Sequence, residues 1–559
     1  CLEKRDDSIA IVSLLENGER RQLSYAQLYQ QVAKMTAALK DLGVKEGDRV
    51  AGFMPNIPET TIAMLATSAI GAIWTSCSPD FGKQGVLDRF GQAAPTVLLT
   101  ADGYYYGGKA HDCLAKAQGI AASINQLKAT IVVPLVDVSP ELNGFDNAYN
   151  YNALVAKYDD IVELEFNQLP FDHPLFIMYS SGTTGVPKCI VHGAGGTLLQ
   201  HLKEHRLHCD ISEQDVFFYF TTCGWMMWNW LVSGLASGAC LVLYDGSPFA
   251  QEGKLLLDAI DSEGITVFGT SAKFISSLEK QGALPRESHK LHSLKTILST
   301  GSPLSHESFE YVYRDFKTDV LLASIAGGTD IISCFVGGCP MLPVHSGEIQ
   351  ARGLGMAVEF WDDQGSAVTR AKGELVCVKA FPCMPIGFWN DVDDKKYHAA
   401  YFSQYQNVWC HGDYGEITEN GGIVIHGRSD TVLNPGGVRI GTAEIYRQVE
   451  KLSEIVESIV IGQQWQDDVR VILFVVLQNE QQLSEALCQS IKSTIRKNAT
   501  PRHVPAVIIQ VPDIPRTLSG KIVELAVRNV VHGEPVKNTD ALANPEALKW
   551  FENRQELVS

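Results

Sequence analysis

The sequence predicts an α/β fold made of a large N-terminal part of layered α/β subdomains and a small C-terminal α+β part. Short apolar runs alternate with helical segments as far as about Gly427, which is typical of layers built on a largely parallel sheet. Beyond Gly427 the pattern changes to two adjacent strand-like runs, one long helix and a further strand. A module of about 130 residues at this end fits the usual size of a domain.

Local signals place the first elements. Ser24-Tyr25-Ala26-Gln27 has the pattern of a capping box, and apolar residues then recur at helical spacing. A strand over residues 49–54 follows, and Asn56 and Pro58 are predicted to start a second helix that Gly71 ends. The same signals predict later strands over residues 175–179, 240–243, 265–268, 296–298, 458–461, 469–477 and 506–511, and a helix over about 480–497.

Composition limits what the chain binds. A formal net charge of −18 disfavours a general nucleic-acid partner or an anionic membrane surface. We expect no membrane insertion, since no apolar stretch reaches the roughly 18 to 20 residues that a span needs. The thirteen cysteines form no C-x-x-C pair, which favours reduced thiols and a cytoplasmic location. The chain begins at Cys1, and we expect further residues to precede it.

A loop rich in hydroxyls and glycines follows the predicted strand at residues 175–179. It reads Tyr179-Ser180-Ser181-Gly182-Thr183-Thr184-Gly185-Val186-Pro187-Lys188. A buried strand that leads into a Gly-rich loop presents backbone N–H groups to anions, and Lys188 adds a mobile positive charge. We interpret this as a polyphosphate loop. Taken alone, a polar surface loop is an equal alternative, and the Walker A spacing is absent because Val186 and Pro187 separate Gly185 from Lys188.

Further short stretches share this polar, Gly-rich character, and each taken singly is an ordinary turn or solvated loop. They are Thr300-Gly301-Ser302-Pro303-Leu304, Ala326-Gly327-Gly328-Thr329-Asp330, Trp409-Cys410-His411-Gly412-Asp413, Gly427-Arg428-Ser429-Asp430, Asn434-Pro435-Gly436-Gly437-Val438-Arg439-Ile440-Gly441-Thr442-Ala443-Glu444-Ile445 and Pro515-Arg516-Thr517-Leu518-Ser519-Gly520-Lys521.

In this order the stretches resemble the motifs of the adenylate-forming superfamily, which includes acyl-CoA synthetases, peptide-synthetase adenylation domains and firefly luciferase. Within it, the chain is most similar to the acetoacetyl-CoA synthetases. That likeness rests on Asn56-Ile57-Pro58-Glu59, Trp74-Thr75-Ser76-Cys77-Ser78-Pro79-Asp80-Phe81-Gly82, Leu87-Asp88-Arg89-Phe90-Gly91-Gln92, Gly224-Trp225-Met226-Met227-Trp228-Asn229 and Gly327-Gly328-Thr329-Asp330.

The resemblance implies an ATP site. In the family the stretch after Thr300 lines the adenine, an Asp like Asp413 and an Arg like Arg428 hold the ribose, and the acid of the Gly-x-Thr motif supports magnesium. The implied ATP-binding residues are Ser180, Ser181, Gly182, Thr183, Thr184, Gly185, Lys188, Gly301, Ser302, Pro303, Ala326, Gly327, Gly328, Thr329, Asp413, Arg428 and Arg439. Two departures stand out: Asp330 replaces the usual Glu, and Ala326 replaces the usual aromatic residue.

The resemblance also implies catalytic and domain roles. Lys521 lies where the family carries its catalytic Lys, and Thr329 and Asp330 complete the implied catalytic set, with Asp330 as the ligand of Mg²⁺. Asp430 lies at the family's hinge. It would divide an adenylate-forming N-terminal domain, residues 1–429, from a mobile C-terminal domain, residues 430–559. The implied CoA-binding residues are Gly436, Gly437 and, as a candidate for the 3′-phosphate, Lys109.

The acyl pocket is implied in the same way. Gly327 lies where acetyl-CoA synthetases, by resemblance, carry a Trp that closes the pocket just beyond a methyl group. A Gly there implies room for a longer acid. The implied pocket residues are Trp225, Met226, Met227, Asn229 and Gly327, although the two Met residues fit an ordinary core role equally well.

The reaction that the resemblance implies is a two-step ligation of acetoacetate to CoA. The acid would attack ATP, accompanied by Mg²⁺, to give an acyl-adenylate and pyrophosphate, and CoA would then displace AMP. An acyl-CoA synthetase for acetate, propionate or butyrate is one alternative. A non-catalytic nucleotide-binding protein, favoured only by Asp330 and Ala326, is another. A monomer is the working expectation, and the sequence leaves the oligomeric state open.

Overall fold

The structure, a computed structural model, describes residues 1–180, 187–433, 435, 440–466, 468–478, 481–517, 520–536 and 539–558. The predicted α/β class is confirmed. Within these residues two large, mainly parallel sheets and two smaller antiparallel ones form the N-terminal part, and a separate sheet with its own helices forms the C-terminal part.

The first large sheet is parallel except at one edge, where Ile9–Leu15 pairs antiparallel with Arg20–Ser24. From one edge to the other its strands are Leu321–Ser324, Thr296–Thr300, Val267–Ser271, Val216–Tyr219, Cys240–Asp245, Ile9–Leu15 and Arg20–Ser24. Helices Lys254–Glu263 and Ala272–Lys280 cover one face. The strands are short buried runs, as expected for a sheet that is covered on both faces.

The second large sheet carries the predicted polyphosphate loop. Its strands, in spatial order, are Gly387–Phe388, Lys188–Gly193, Pro174–Ser180, Ile73–Cys77, Arg49–Phe53, Val97–Ala101, Ala129–Val133 and Ala148–Asn150. It is parallel from Pro174–Ser180 onward, whereas Pro174–Ser180 pairs antiparallel with Lys188–Gly193. One shared core, built on helices Tyr25–Asp41 and Pro58–Ile70, joins the two large sheets.

Two smaller sheets complete the N-terminal part. The first has Ala367–Val368, Val358–Trp361, Gly373–Cys377, Trp409–Ile417 and Ile423–Arg428 in that order, and the second has Ala326–Gly328, Ser333–Gly337 and Ala351–Arg352. Gly103–Tyr106 and Lys109–Asp112 form a separate hairpin. Helices of the N-terminal part are Tyr25–Asp41, Pro58–Ile70, Lys83–Ala93, Leu114–Ala121, Tyr151–Val155, Ala194–Lys203, Met226–Val232, Lys254–Glu263, Ala272–Lys280, Pro285–Ser288, His306–Tyr311 and Lys395–Tyr401.

The C-terminal part has the predicted strand–strand–helix–strand order. Ile455–Trp465 pairs antiparallel with Asp468–Leu477, which pairs parallel with Val507–Gln510. Helices Thr442–Val449 and Glu485–Asn498 pack on one face of this sheet, and Glu524–Val531 packs on the other. The long helix begins later than predicted because the Ser484 side chain caps it by accepting a hydrogen bond from Leu487 N–H at 3.2 Å.

The predicted capping box at Ser24 is confirmed: Ser24 Oγ accepts a hydrogen bond from Gln27 N–H at 3.2 Å, and Gln27 Oε1 accepts one from Ser24 N–H at 2.9 Å. The predicted role of Asn56 is wrong. Helix Pro58–Ile70 begins after Ile57 without a side-chain cap. Asn56 Oδ1 instead accepts a hydrogen bond from the indole Nε1–H of Trp228 at 3.0 Å, a long-range contact that local sequence signals do not reveal.

Among the described residues, no helix is both long and apolar enough to cross a lipid bilayer. All thirteen cysteines are described, and each of them is a free thiol.

Candidate active site

A cavity of about 1040 Å³ lies between the N-terminal and C-terminal parts and is lined by residues of both. It contains most of the described residues that the sequence motifs single out. These are Ser180, Lys188, Trp225, Gly301, Ser302, Pro303, Ala326, Gly327, Gly328, Thr329, Asp330, Asp413, Arg428, Asp430 and Lys521. Residues far apart in the chain therefore converge on one space.

The two described ends of the predicted polyphosphate loop belong to an antiparallel strand pair. Ser180 and Lys188 lie directly opposite each other at the end of Pro174–Ser180 and Lys188–Gly193, and both line the cavity. The predicted residues Ser181, Gly182, Thr183, Thr184 and Gly185 lie outside the described residues. The ammonium of Lys188 lies 3.7 Å from Asp330 Oδ1, so the strand pair brings a cation to the Gly-x-Thr-Asp motif.

Asp330 occupies a strongly polar corner of the cavity. Tyr401 donates a hydrogen bond from its hydroxyl to Asp330 Oδ1 at 2.5 Å, and the Tyr401 ring stacks on Trp409 with 3.8 Å between ring centroids. Burial acts to raise the pKa of the Asp330 carboxyl, but Lys188, His411 and the Tyr401 hydroxyl hold that pKa below its ordinary value. Asp330 is therefore an ionised carboxylate, as a metal ligand must be.

The backbone of Thr329 is fixed by a buried histidine. Burial lowers the pKa of His192 to about 4, so its ring is neutral. The ring Nε2–H donates a hydrogen bond to the Thr329 carbonyl at 2.9 Å. In the first large sheet, Thr300 Oγ1 donates to the Ile325 carbonyl at 2.8 Å, which ties the end of Thr296–Thr300 to the residue that follows Leu321–Ser324.

Asp413 and Arg428 face each other across adjacent strands. They are directly opposite in the pairing of Trp409–Ile417 with Ile423–Arg428, and Arg428 Nη1 donates to Asp413 Oδ1 at 3.0 Å. His411 Nε2 lies 3.6 Å from Asp413 Oδ2. The Asp413 carboxylate is thus held in one orientation at the cavity wall, with acceptor capacity remaining for a diol.

Lys521 enters the cavity from the C-terminal part. Its backbone forms a tight turn with Thr517, in which Thr517 N–H donates to the Lys521 carbonyl at 2.8 Å and Lys521 N–H donates to Thr517 Oγ1 at 3.0 Å. Desolvation at the cavity wall, together with the charge of Arg428, lowers the pKa of the Lys521 ammonium, while Asp413 and Asp330 oppose that shift. The group thus lies within electrostatic reach of the nucleotide residues.

Of the implied CoA-binding residues, the structure describes Lys109. Gly436 and Gly437 lie outside the described residues, as does the implied ATP-binding residue Arg439. Lys109 is exposed at the start of Lys109–Asp112 and does not line the cavity. The backbone N–H of Gly107, just before it, donates to the Glu16 carboxylate at 3.0 Å. The role of Lys109 stays a prediction.

Of the predicted acyl-pocket residues, only Trp225 and Gly327 line the cavity. Met226, Met227 and Asn229 are buried inside helix Met226–Val232. The Asn229 side-chain oxygen accepts no hydrogen bond from any described residue. The three residues therefore belong to the protein interior and not to the cavity surface.

The space at Gly327 differs from the sequence-based picture. A Cβ added at Gly327 would lie 2.1 Å from the Ser333 carbonyl oxygen and 2.5 Å from Cys334 Cα, because Ala326–Gly328 runs directly against Ser333–Gly337. A side chain at Gly327 therefore collides with backbone. A Cβ at Gly328 meets only the His411 ring at 3.6 Å and Asp330 at 3.7 Å, which are ordinary contacts.

We expect Gly327→Ala to lower the free energy of unfolding by about 1 to 3 kcal/mol, the usual effect of overpacking, and to weaken binding of the acid. Gly328→Ala is the matched control and is expected to leave the thermal midpoint nearly unchanged. Thermal unfolding of both variants measures this. Equal midpoints for the two variants would contradict the close approach at Gly327.

Sequence reasoning missed Tyr401, His192 and Arg89, although each touches the site. Tyr401 and His192 reach their partners only through tertiary packing, so no local pattern predicts them. Arg89 did carry a signal, because it falls in the apolar stripe of helix Lys83–Ala93.

Comparisons with known proteins agree with this geometry. The profile of the family described as AMP-binding enzyme matches residues 1–380, and that of the AMP-binding enzyme C-terminal domain matches residues 447–521. The acetoacetyl-coenzyme A synthetase of Rhizobium meliloti (strain 1021) is 57% identical over 100% of this chain and 86% of its own length. The acetoacetyl-CoA synthetase of Gallus gallus is 49% identical over 99% of this chain and 84% of its own length.

The solved structure of the acetoacetyl-CoA synthetase from Streptomyces lividans superposes with a TM-score of 0.92 and 44% identity, covering 98% of this chain and 83% of that chain. The chain therefore belongs to the AMP-binding enzyme family and, within it, to the group of the acetoacetyl-CoA synthetases.

Proposed function

We propose that this protein joins acetoacetate to CoA, with cleavage of ATP to AMP and pyrophosphate through an acyl-adenylate. The observation that carries the proposal is the convergence of Lys521, from the C-terminal part, with Thr329, Asp330 and Asp413 in one cavity. A cation, a hydroxyl and two carboxylates in this arrangement suit the activation of an acid by a nucleotide.

In the first step the carboxylate of the acid attacks the α-phosphorus of ATP, and pyrophosphate leaves. Lys521 stabilises the negative charge that develops on the α-phosphate and the attacking carboxylate, because an ammonium at the cavity wall attracts charge as it develops in the transition state. Asp413 accepts hydrogen bonds from the ribose hydroxyls, while Arg428 holds its carboxylate in place. The CoA thiol then attacks the acyl carbon, and AMP leaves.

Magnesium fits this site. Asp330 offers an ionised carboxylate, and Mg²⁺ in nucleotide sites commonly binds one or two carboxylates with phosphate oxygens and water as its other ligands. Among the described residues no cluster of three or more metal-ligating side chains occurs, so the phosphates would supply the remaining coordination. The ion would neutralise phosphate charge when bound.

We further propose that residues 1–429 and 430–559 are two domains with their hinge at Asp430. The two half-reactions need different groups at the same acyl carbon, and in the present arrangement Lys521 lines the cavity. Rotation about Asp430, which lies in the exposed turn Ser429–Thr431, would withdraw Lys521 and bring residues 436 and 437 toward the site. We also propose a monomer in the cytoplasm, supported in its location by thirteen free thiols.

The 3-oxo group of acetoacetate is proposed to accept a hydrogen bond from Trp225. The indole lines the cavity, its ring packs edge-on against Tyr219 at 6.1 Å, and its N–H donates to no described residue. An analogue that leaves such a donor without an acceptor loses about 1 to 3 kcal/mol of binding free energy.

We therefore expect acetoacetate to exceed butyrate by at least about tenfold in kcat/KM. Trp225→Phe keeps an aromatic ring without the donor and should remove most of that preference. A panel of acetate, propionate, butyrate and acetoacetate, scored by CoA-thioester formation, measures both effects. If the wild type preferred butyrate or acetate, acetoacetate would be the wrong substrate. If it showed no acid-dependent ATP–pyrophosphate exchange, it would be a non-catalytic nucleotide-binding protein.

A further inference from the structure

Helix Lys83–Ala93 buries a cation in its apolar stripe. Val86, Arg89, Phe90 and Ala93 follow helical spacing and form its buried face, and Arg89 is only 6% exposed. An Arg in such a stripe is rarely buried without a partner, because an uncompensated charge away from water is unfavourable.

The partners of Arg89 do not neutralise its charge. Its Nη1 donates to the Gly85 carbonyl at 2.6 Å, within the same helix. The guanidinium lies 4.6 Å from the ring centroid of Phe81 and 5.9 Å from that of Tyr179, so two aromatic rings lie beside it. It forms no ion pair with any described carboxylate, and its remaining nitrogens donate to no described residue. The group also lines the cavity.

The same helix contacts both described ends of the predicted phosphate loop. Phe90 packs against Tyr179 with 6.4 Å between ring centroids, just before Ser180. Gln92 Nε2 donates to the Pro187 carbonyl at 3.0 Å, just before Lys188. Arg89 is therefore held on the wall of the cavity that Ser180 and Lys188 also line.

We propose that Arg89 binds the β- and γ-phosphates of ATP, the part of the nucleotide that leaves as pyrophosphate. This deepens the proposed function and rests on it. A planar guanidinium whose remaining donors have no partner among the described residues matches a pair of phosphate oxygens, and phosphate supplies the negative charge that no described side chain provides. Lys521 and Asp413 are assigned above to the α-phosphate and the ribose, which leaves the opposite end of the triphosphate to Arg89. Gln92 acts as a positioning residue through the Pro187 carbonyl.

The test compares Arg89→Met and Arg89→Lys with the wild type. Binding of pyrophosphate in the presence of Mg²⁺ is measured by titration calorimetry, and the KM for pyrophosphate is measured in acetoacetate-dependent ATP–pyrophosphate exchange. Arg89→Met should weaken pyrophosphate in both assays about tenfold to a hundredfold, the usual effect of losing hydrogen bonds to a charged group. Arg89→Lys should recover part of that loss, while the KM values for acetoacetate and CoA change little.

Arg49→Met is the control for a purely structural effect. Arg49 supports the other end of the same helix by donating to the Ala93 and Ala94 carbonyls, both at 2.8 Å, and it does not line the cavity. Its loss should lower the thermal midpoint without weakening pyrophosphate. Wild-type pyrophosphate affinity in Arg89→Met, or a loss confined to CoA, would overturn the proposal. If the wild type catalysed no ATP–pyrophosphate exchange in the presence of any acid, the proposed function itself would be wrong.

Discussion

Replacing Lys521 with Ala is expected to slow adenylate formation about a hundredfold to a thousandfold, equivalent to about 3 to 4 kcal/mol, and to leave thioester formation from preformed acyl-adenylate largely intact. The reason is that Lys521 reaches the nucleotide residues only from the C-terminal part. Its ammonium acts on charge that develops at the α-phosphate in the first step, and the proposed rotation withdraws it before the second step.

ATP–pyrophosphate exchange measures the first half-reaction, and CoA added to synthetic acyl-adenylate measures the second. Lys549→Ala is the matched control, because Lys549 is an exposed lysine of the same part that does not line the cavity. It should leave both rates unchanged. An equal loss of both half-reactions in Lys521→Ala would show that the side chain supports the fold or the domain arrangement instead of the first transition state.

The fold was largely predictable because its signals are local. Ser24 and Gln27 form the predicted capping box, Gly71 ends the helix Pro58–Ile70 with a φ of 80°, and short apolar runs became the central strands. The predicted ends of the strands were less accurate, because pairing with a neighbouring strand decides where a strand ends. Asn56 shows the limit of local signals most clearly. Asn is a residue type that favours the start of a helix, but the Asn56 side chain accepts a buried hydrogen bond from Trp228 instead.

The sequence predicted which motifs form the candidate site but not how their residues are arranged in space. Resemblance supplied Lys188, Asp330, Asp413 and Lys521, and the structure places all four on one cavity. Nothing in the sequence showed that the Tyr401 hydroxyl donates a hydrogen bond to Asp330, because these residues meet only through tertiary packing. The sequence likewise predicted free space at Gly327, whereas the antiparallel strand behind it leaves no room for a Cβ.

A second large effect is expected at the hinge. Asp430 lies in the 3-10 turn Ser429–Thr431, a conformation in which φ is typically about −60°, and Pro fixes φ near that value. Asp430→Pro should therefore hold the chain in the present orientation, in which Lys521 faces the nucleotide residues. We expect adenylate formation to remain within about threefold of the wild type and thioester formation to fall about a hundredfold.

The direction of this split follows from the contacts between the two parts. Lys280 Nζ donates to the Val456 carbonyl at 2.5 Å, Lys451 lies 3.5 Å from Glu307, and Lys273 pairs with Glu457. The proposed rotation would break all of these contacts before the second half-reaction, and a proposed hinge fixed in this geometry would prevent it. Asp430→Ala is the control, because it removes the carboxylate 4.0 Å from Arg428 but leaves φ free. It should keep both half-reactions. If Asp430→Pro lost adenylate formation and kept thioester formation, the fixed orientation would be the other one, and if it kept both, rotation would occur elsewhere in the chain.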